Sequence, residues 1–239
     1  MKDHIMRLRD LLILIVLTTL FFGLFLGSRP FSVPDEGRYV EIPREMAVTG
    51  DWVTPRLNGV KYFEKPPLFY WFEAVLIKLF GLSEWSVRLG PALFALFGCL
   101  AVYYAGARIF GRLTGIISAC ILATSILYYA LSRLITLDMP VSALLTASLL
   151  SFLLGTRETA GATRRLFFWG FYAFAALATM TKGLIGIVFP GMIIFAWMLI
   201  MNEWRILRSM YLPSGLAIFM LIAAPWHILV NRANPEFFD

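Results

Sequence analysis

Charge is scarce in this chain. Only 15% of its 239 residues are Asp, Glu, Lys or Arg, against about a quarter in a soluble globular domain. Hydrophobic residues make up 59%, and the mean hydropathy is +0.76. This balance excludes an ordinary soluble domain and marks a membrane protein. Cysteine and histidine are nearly absent, with two of each. Cys99 and Cys120 fall inside apolar runs, which argues against a disulfide framework and reads as small core packing. His4 is terminal, and His227 near the end of the last apolar run reads as packed. No Cys/His cluster has zinc spacing, no G-x-S-x-G turn occurs, and no glycine-rich loop is available to cradle a nucleotide. The net charge of +6 comes without a dense basic run. Basic residues stand singly at the ends of apolar segments, as membrane topology predicts and nucleic-acid binding does not.

What is present is a series of apolar stretches. A hydrocarbon core of about 30 Å needs about 20 helical residues. Seven segments meet or approach this length: 11–27, 89–107, 113–131, 139–155, 166–180, 183–201 and 210–230. The fifth is short. The first has a basic flank in Lys2, Arg7 and Arg9 but no A-x-A-like cleavage site, so it reads as an uncleaved span. The segment 68–80 is apolar but interrupted by Glu73 and Lys78. It reads as a helix lying in the interface, with Tyr70 and Trp71 at headgroup level. The first span then opens into one long loop, 28–88. The N-terminus and the connections near 108–112, 156–165 and 202–209 are rich in Lys and Arg, which places them on the cytoplasmic side and the long loop outside.

That loop holds the costliest charges. Asp35 and Glu36 follow Pro34, with Arg38, Tyr39, Glu41, Arg44 and Glu45 close behind. A short helix over Glu36 to Val48 is predicted, with Pro43 breaking or kinking it. Asp35 can be a helix N-cap or a site carboxylate. In Glu64-Lys65-Pro66-Pro67, the prolines hold Lys65 extended, where it can snorkel or face a phosphate. Glu64 can be solvated or bind a metal. Arg133 and Asp138 bracket the turn between the third and fourth spans, either as a helix-capping ion pair or as site groups. Lys182 sits between the fifth and sixth spans, where snorkelling and phosphate binding both fit.

These segments resemble a known family. The runs Asp35-Glu36-Gly37-Arg38-Tyr39, Glu41-Ile42-Pro43-Arg44-Glu45-Met46, Gly50-Asp51-Trp52, Pro55-Arg56-Leu57-Asn58-Gly59 and Tyr62-Phe63-Glu64-Lys65-Pro66-Pro67-Leu68 are similar to the first extracytoplasmic loop of lipid-linked-sugar glycosyltransferases of the GT-C, protein mannosyltransferase-like family. Within it the match is to the aminoarabinose lipid A transferase branch. That branch often carries Pro at Gly37 and Ala at Pro43. The resemblance implies an all-α polytopic membrane bundle with amphipathic juxtamembrane helices in its first outward loop, and residues 1–239 as its N-terminal transmembrane domain.

It further implies an inverting enzyme of a bacterial inner membrane, with its site facing the periplasm. Its donor would be a polyprenyl phosphate sugar, and the most specific reading moves 4-amino-4-deoxy-L-arabinose to lipid A. Transfer to protein or another glycan is the alternative within the family, and a polytopic transporter the alternative outside it. By resemblance Asp35 is the principal catalytic carboxylate, with Asp138 and Glu36 as further site acids. Arg38, Tyr39, Lys65, Arg133 and Lys182 would contact substrate. Glu64 would bind a divalent metal, zinc, with a His that lies beyond Asp239.

Overall fold

The computed structural model describes residues 8–32 and 34–238. Lys2 and Arg7 of the basic flank, and His4, lie outside the described residues. The helices are α1 (Leu8–Gly23), α2 (Asp35–Thr49), α3 (Leu68–Phe80), α4 (Glu84–Phe110), α5 (Arg112–Thr124), α6 (Ile126–Leu131), α7 (Asp138–Arg157), α8 (Ala162–Lys182), α9 (Ile185–Met201), α10 (Ile206–Ser209) and α11 (Leu212–Ala233). A 3₁₀ turn covers Pro235–Phe238. Among the described residues, three helices can cross a membrane by length and composition: α4, α7 and α11. α5 and α9 are shorter apolar helices. Large apolar side chains remain exposed along α1 and α9, among them Leu17, Leu20, Phe195 and Ile200, which is the surface that lipid would cover.

Three expectations need correction. The segment 113–131 is not one helix, because Ser125 is extended and separates α5 from α6. The fifth segment is longer than 166–180, since α8 starts at Ala162 and runs for 21 residues. Pro43 neither ends nor interrupts α2, which spans Asp35–Thr49 with Pro43 buried inside it.

The loop between α1 and α4 folds onto one end of the bundle. Tyr39, Ile42 and Met46 of α2 pack with Phe69, Tyr70 and Ala74 of α3 and with Val87 of α4. Between α2 and α3 lies a two-stranded hairpin, β1 (Arg56–Leu57) and β2 (Val60–Lys61). Asn58 and Gly59 both have positive φ, 53° and 78°. A tight two-residue hairpin turn of this kind demands such angles, and Asn-Gly supplies them. The buried Glu45 carboxylate accepts the Gly59 N–H at 3.1 Å, tying the turn to α2. Two indoles hold the segment after α2: Trp71 donates to the Trp52 carbonyl at 2.7 Å and Trp226 to the Val53 carbonyl at 2.9 Å. Trp71 therefore faces the folded loop, and Tyr70 is fully buried within it. At the opposite end Arg112 binds the buried Asp10, and Arg108 pairs with Glu158 at 2.6 Å.

Candidate active site

The residues singled out in the sequence fall into two groups at the loop end of the bundle. The first surrounds Arg38. Asp35 opens α2 as its first residue, with Pro34 in the capping position and no side-chain cap. Asp35 is 68% exposed and its Oδ1 accepts from Arg38 at 3.3 Å, an i,i+3 pair on one helix face. The Arg38 guanidinium also lies over the Tyr39 ring, 5.1 Å from its centroid. Burial works against the charge on Arg38, but Tyr62, Tyr39, Asp35 and Glu64 around it outweigh that and raise its pKa. Its Nε has no hydrogen-bond partner among the described residues, and neither does the buried Tyr70 hydroxyl.

Tyr39 itself is mostly core. Its ring is 9% exposed and stacks on Tyr70 at 6.3 Å. Tyr62 donates its hydroxyl to the exposed Glu64 at 2.9 Å. Burial and that bond push the Tyr62 phenol up to about 12. Lys65 follows, half-buried and without an ion pair among the described residues. Its position before Pro66-Pro67 at the start of α3 keeps it off any helix face.

The second group is Asp138 with Lys182. Lys182, the last residue of α8, donates to Asp138 Oδ1 at the start of α7. Leu137 rather than Asp138 occupies the capping position. A cavity of about 520 Å³ has Asp138 at one end and continues along α7 past Ser142, Leu145 and Thr146, with Phe189 and Ile193 of α9 opposite. Arg133 does not pair with Asp138. It donates to the Phe22 carbonyl at 3.2 Å and its guanidinium covers the Tyr129 ring at 5.4 Å.

Glu36 belongs to neither group and joins both. It is 1% exposed and forms an ion pair with Arg88, itself 1% exposed, at 3.0 Å. It also accepts the Ser32 N–H at 2.8 Å and the Ile135 N–H at 3.2 Å. Burial alone would raise its pKa; the Arg88 hydrogen bonds, those two amides and the Arg88 charge outweigh this and hold it below the usual carboxylate range. Arg88 had no place in the sequence reading. The only signal was an Arg at the edge of an apolar run, and the acid nearest to it in the sequence, Glu84, is not the one it pairs with.

A metal site was tested against the side chains present. Among the described residues no three His, Cys, Asp or Glu converge on one position, and Glu64 is engaged by Tyr62. The residues of this chain do not by themselves fit zinc. His227 turns its Nδ1 to the Ala223 carbonyl of its own helix at 2.7 Å.

Comparison with known proteins bears on this arrangement. A protein of Erwinia tasmaniensis named undecaprenyl phosphate-alpha-4-amino-4-deoxy-L-arabinose arabinosyl transferase is 33% identical over 228 residues, covering 93% of this chain and 41% of the relative. A protein of the same name from Pectobacterium carotovorum is 32% identical, covering 99% of this chain and 42% of the relative. The crystal structure of ArnT from Cupriavidus metallidurans bound to undecaprenyl phosphate superposes with a TM-score of 0.91 at 36% identity, over 95% of this chain and 42% of that one. Its apo state matches equally. The chain thus spans about two fifths of these relatives' length. It has the fold expected for a GT-C bundle and is a multi-pass membrane protein. The sequence pattern described as dolichyl-phosphate-mannose-protein mannosyltransferase matches residues 64–229, more than half of the chain, and the chain belongs to that family.

Proposed function

We propose that this chain forms the donor-handling part of a membrane glycosyltransferase that moves a sugar from a polyprenyl phosphate to an extracytoplasmic acceptor. The specific reading is 4-amino-4-deoxy-L-arabinose transferred to lipid A, with the loop end of the bundle facing the periplasm of a bacterial inner membrane. The observation that carries the reading is the Arg38 cluster: an exposed Asp35 paired with a cation whose Nε has no partner among the described residues, on the same bundle-covering loop as Lys65, which has no ion pair among them. The relatives, named undecaprenyl phosphate-alpha-4-amino-4-deoxy-L-arabinose arabinosyl transferases, support it.

The reaction is a displacement at the anomeric carbon. The acceptor oxygen forms the new bond, the bond to the polyprenyl phosphate breaks with its electron pair, and configuration inverts. Negative charge grows on the departing phosphate, and Lys65 and Arg38 stabilise it as fixed cations. A hydroxyl acceptor gives its proton to Asp35 as general base. A phosphate acceptor is already ionised, and Asp35 then balances Arg38 and positions the incoming group. Asp138 and Lys182 face the sugar side. Tyr39 acts by carrying Arg38 on its ring. Arg133 acts by fastening the 133–138 turn to α1. Glu64 acts as the acceptor for Tyr62, and no step is routed through a metal.

Lys65→Ala in the full-length protein tests the donor assignment. It removes a charge-assisted contact to phosphate worth about 1.5–3 kcal/mol, so affinity for undecaprenyl phosphate drops by roughly 10- to 100-fold. Unchanged affinity would remove Lys65 from the donor site. Cysteine labelling at Thr136 and Ala162 tests the topology: opposite accessibility is expected, with Thr136 outside.

A further inference from the structure

One buried side chain near the start of α4 grips the backbone at 26–30 directly and two further stretches through Glu36. All five N–H donors of Arg88 are used. Its Nη1 donates to the carbonyls of Leu26 at 2.9 Å and Arg29 at 2.7 Å. Its Nη2 donates to the Pro30 carbonyl and to Glu36 Oε2, both at 3.0 Å, and its Nε donates to Glu36 Oε1 at 3.2 Å. Glu36 passes the constraint on through the amides of Ser32 and Ile135. Arg29 closes the ring by donating to Glu36 Oε1 at 3.3 Å and to the Arg133 carbonyl at 2.9 Å. The exit from α1, the start of α2 and the turn before α7 are therefore fixed to one point. Asp35 is adjacent to Glu36 in sequence, and Asp138 lies three residues past Ile135.

Stability alone is a poor reason for this arrangement. A buried ion pair seldom stabilises more than apolar residues of the same volume, and geometric specification is one attested use for it. We propose that Glu36 and Arg88 are positioning residues that hold the Asp35–Arg38 cluster in register with the Asp138–Lys182 pair, so that both act on one substrate. This rests on the functional reading above, in which the two groups share a site. Glu36 then touches no reacting atom. It acts through Asp35 on one side and the Ile135 turn on the other.

The test uses full-length protein in lipid nanodiscs and three readouts: amide hydrogen exchange, affinity for undecaprenyl phosphate, and single-turnover sugar transfer. Glu36→Gln keeps the shape of the side chain but cannot accept both amides and the guanidinium. It is expected to speed exchange at 29–36 and 132–137 while leaving α8 and α11 protected. Transfer should fall about 10²-fold, the cost of a displacement near 1 Å at a reacting centre, with donor affinity within about threefold. Asp35→Asn is the control, expected to lower transfer by about 10²–10⁴-fold without altering exchange. Unchanged exchange, or transfer within threefold of the parent, overturns the proposal. A parent protein that transfers no sugar defeats the functional reading, whereas the exchange arm still tests the joint. If Glu36→Gln does not fold, the double variant Glu36→Leu/Arg88→Met removes the pair as a unit. A folded double variant with parental turnover overturns the proposal, and so does failure of both variants to fold, which would make the pair purely structural.

Discussion

Two buried glutamates meet α4 two residues apart and live in opposite electrostatic worlds. Glu36 on α2 meets Arg88 and is supplied with five hydrogen bonds from Arg88, Ser32, Ile135 and Arg29. Glu73 on α3 meets Gly90, and neither of its oxygens has a partner among the described residues. Both are almost wholly inaccessible, at 1% and 0%. Burial raises the Glu73 pKa well above its ordinary value with nothing to oppose it, while the donors around Glu36 reverse the sign. Depth alone does not decide the charge of a buried carboxylate. The supply of donors does, and at Glu36 that supply comes from two arginines and from two backbone amides on the segments that carry the candidate site.

Removing the donor breaks the comparison most severely. Arg88→Met leaves Glu36 buried with only the half-exposed Arg29 as counter-charge, and breaking a buried pair in this way commonly costs about 3–5 kcal/mol. Thermal unfolding of the variant in detergent should show a large loss of melting temperature. A smaller effect is expected on the α3 side. A Cβ at position 90 would lie 1.8 Å from Glu73 Oε1, so Gly90→Ala overpacks the joint. The usual cost is about 1–3 kcal/mol, and Glu73→Ala in the same chain should recover most of it. No recovery would mean that Glu73 is not what fills the space at Gly90.

The finest test is pH. Glu73 ionises near 4.5 when unfolded and far higher when folded. Stability tied to its neutral form is therefore complete below pH 4.5 and lost as pH rises through the folded value. Glu73→Gln does not titrate, so it should match the parent in acid and exceed it by a few degrees of melting temperature at neutral pH. Glu36 has the opposite sign: its contribution is present above its ordinary value of 4.5 and fades as pH falls through the lowered one. Glu36→Gln should hence be costly at neutral pH and less so in acid. Parallel pH profiles for the two variants would erase the distinction between the glutamates.

Much of this was legible in the sequence, and the failures share a cause. Apolar runs, turn residues and the charge of the long loop are local, and they marked out most of the apolar helices and the α2 helix. The Asn58-Gly59 hairpin was also local and readable, but it was subsumed in an all-helical expectation. What could not be read was pairing across distance. Glu36 finds Arg88 52 positions away and Ile135 99 away, and Lys182 reaches Asp138 across 44. Sequence placed Arg133 beside Asp138 because they are neighbours in the chain, whereas the turn sends Arg133 to α1. Pro43 was expected to break or kink α2, and no break occurs: it sits buried within a continuous helix. Tertiary packing against α3 outweighs the local penalty.

The most direct measurement is single-turnover transfer by full-length Asp35→Asn, using a polyprenyl phosphate aminoarabinose donor and lipid A. Loss of a positioned catalytic carboxylate predicts a rate lower by about 10²–10⁴-fold, with affinity for undecaprenyl phosphate unchanged. Near-parental transfer by Asp35→Asn would contradict the account and leave Asp35 as no more than the surface partner of Arg38.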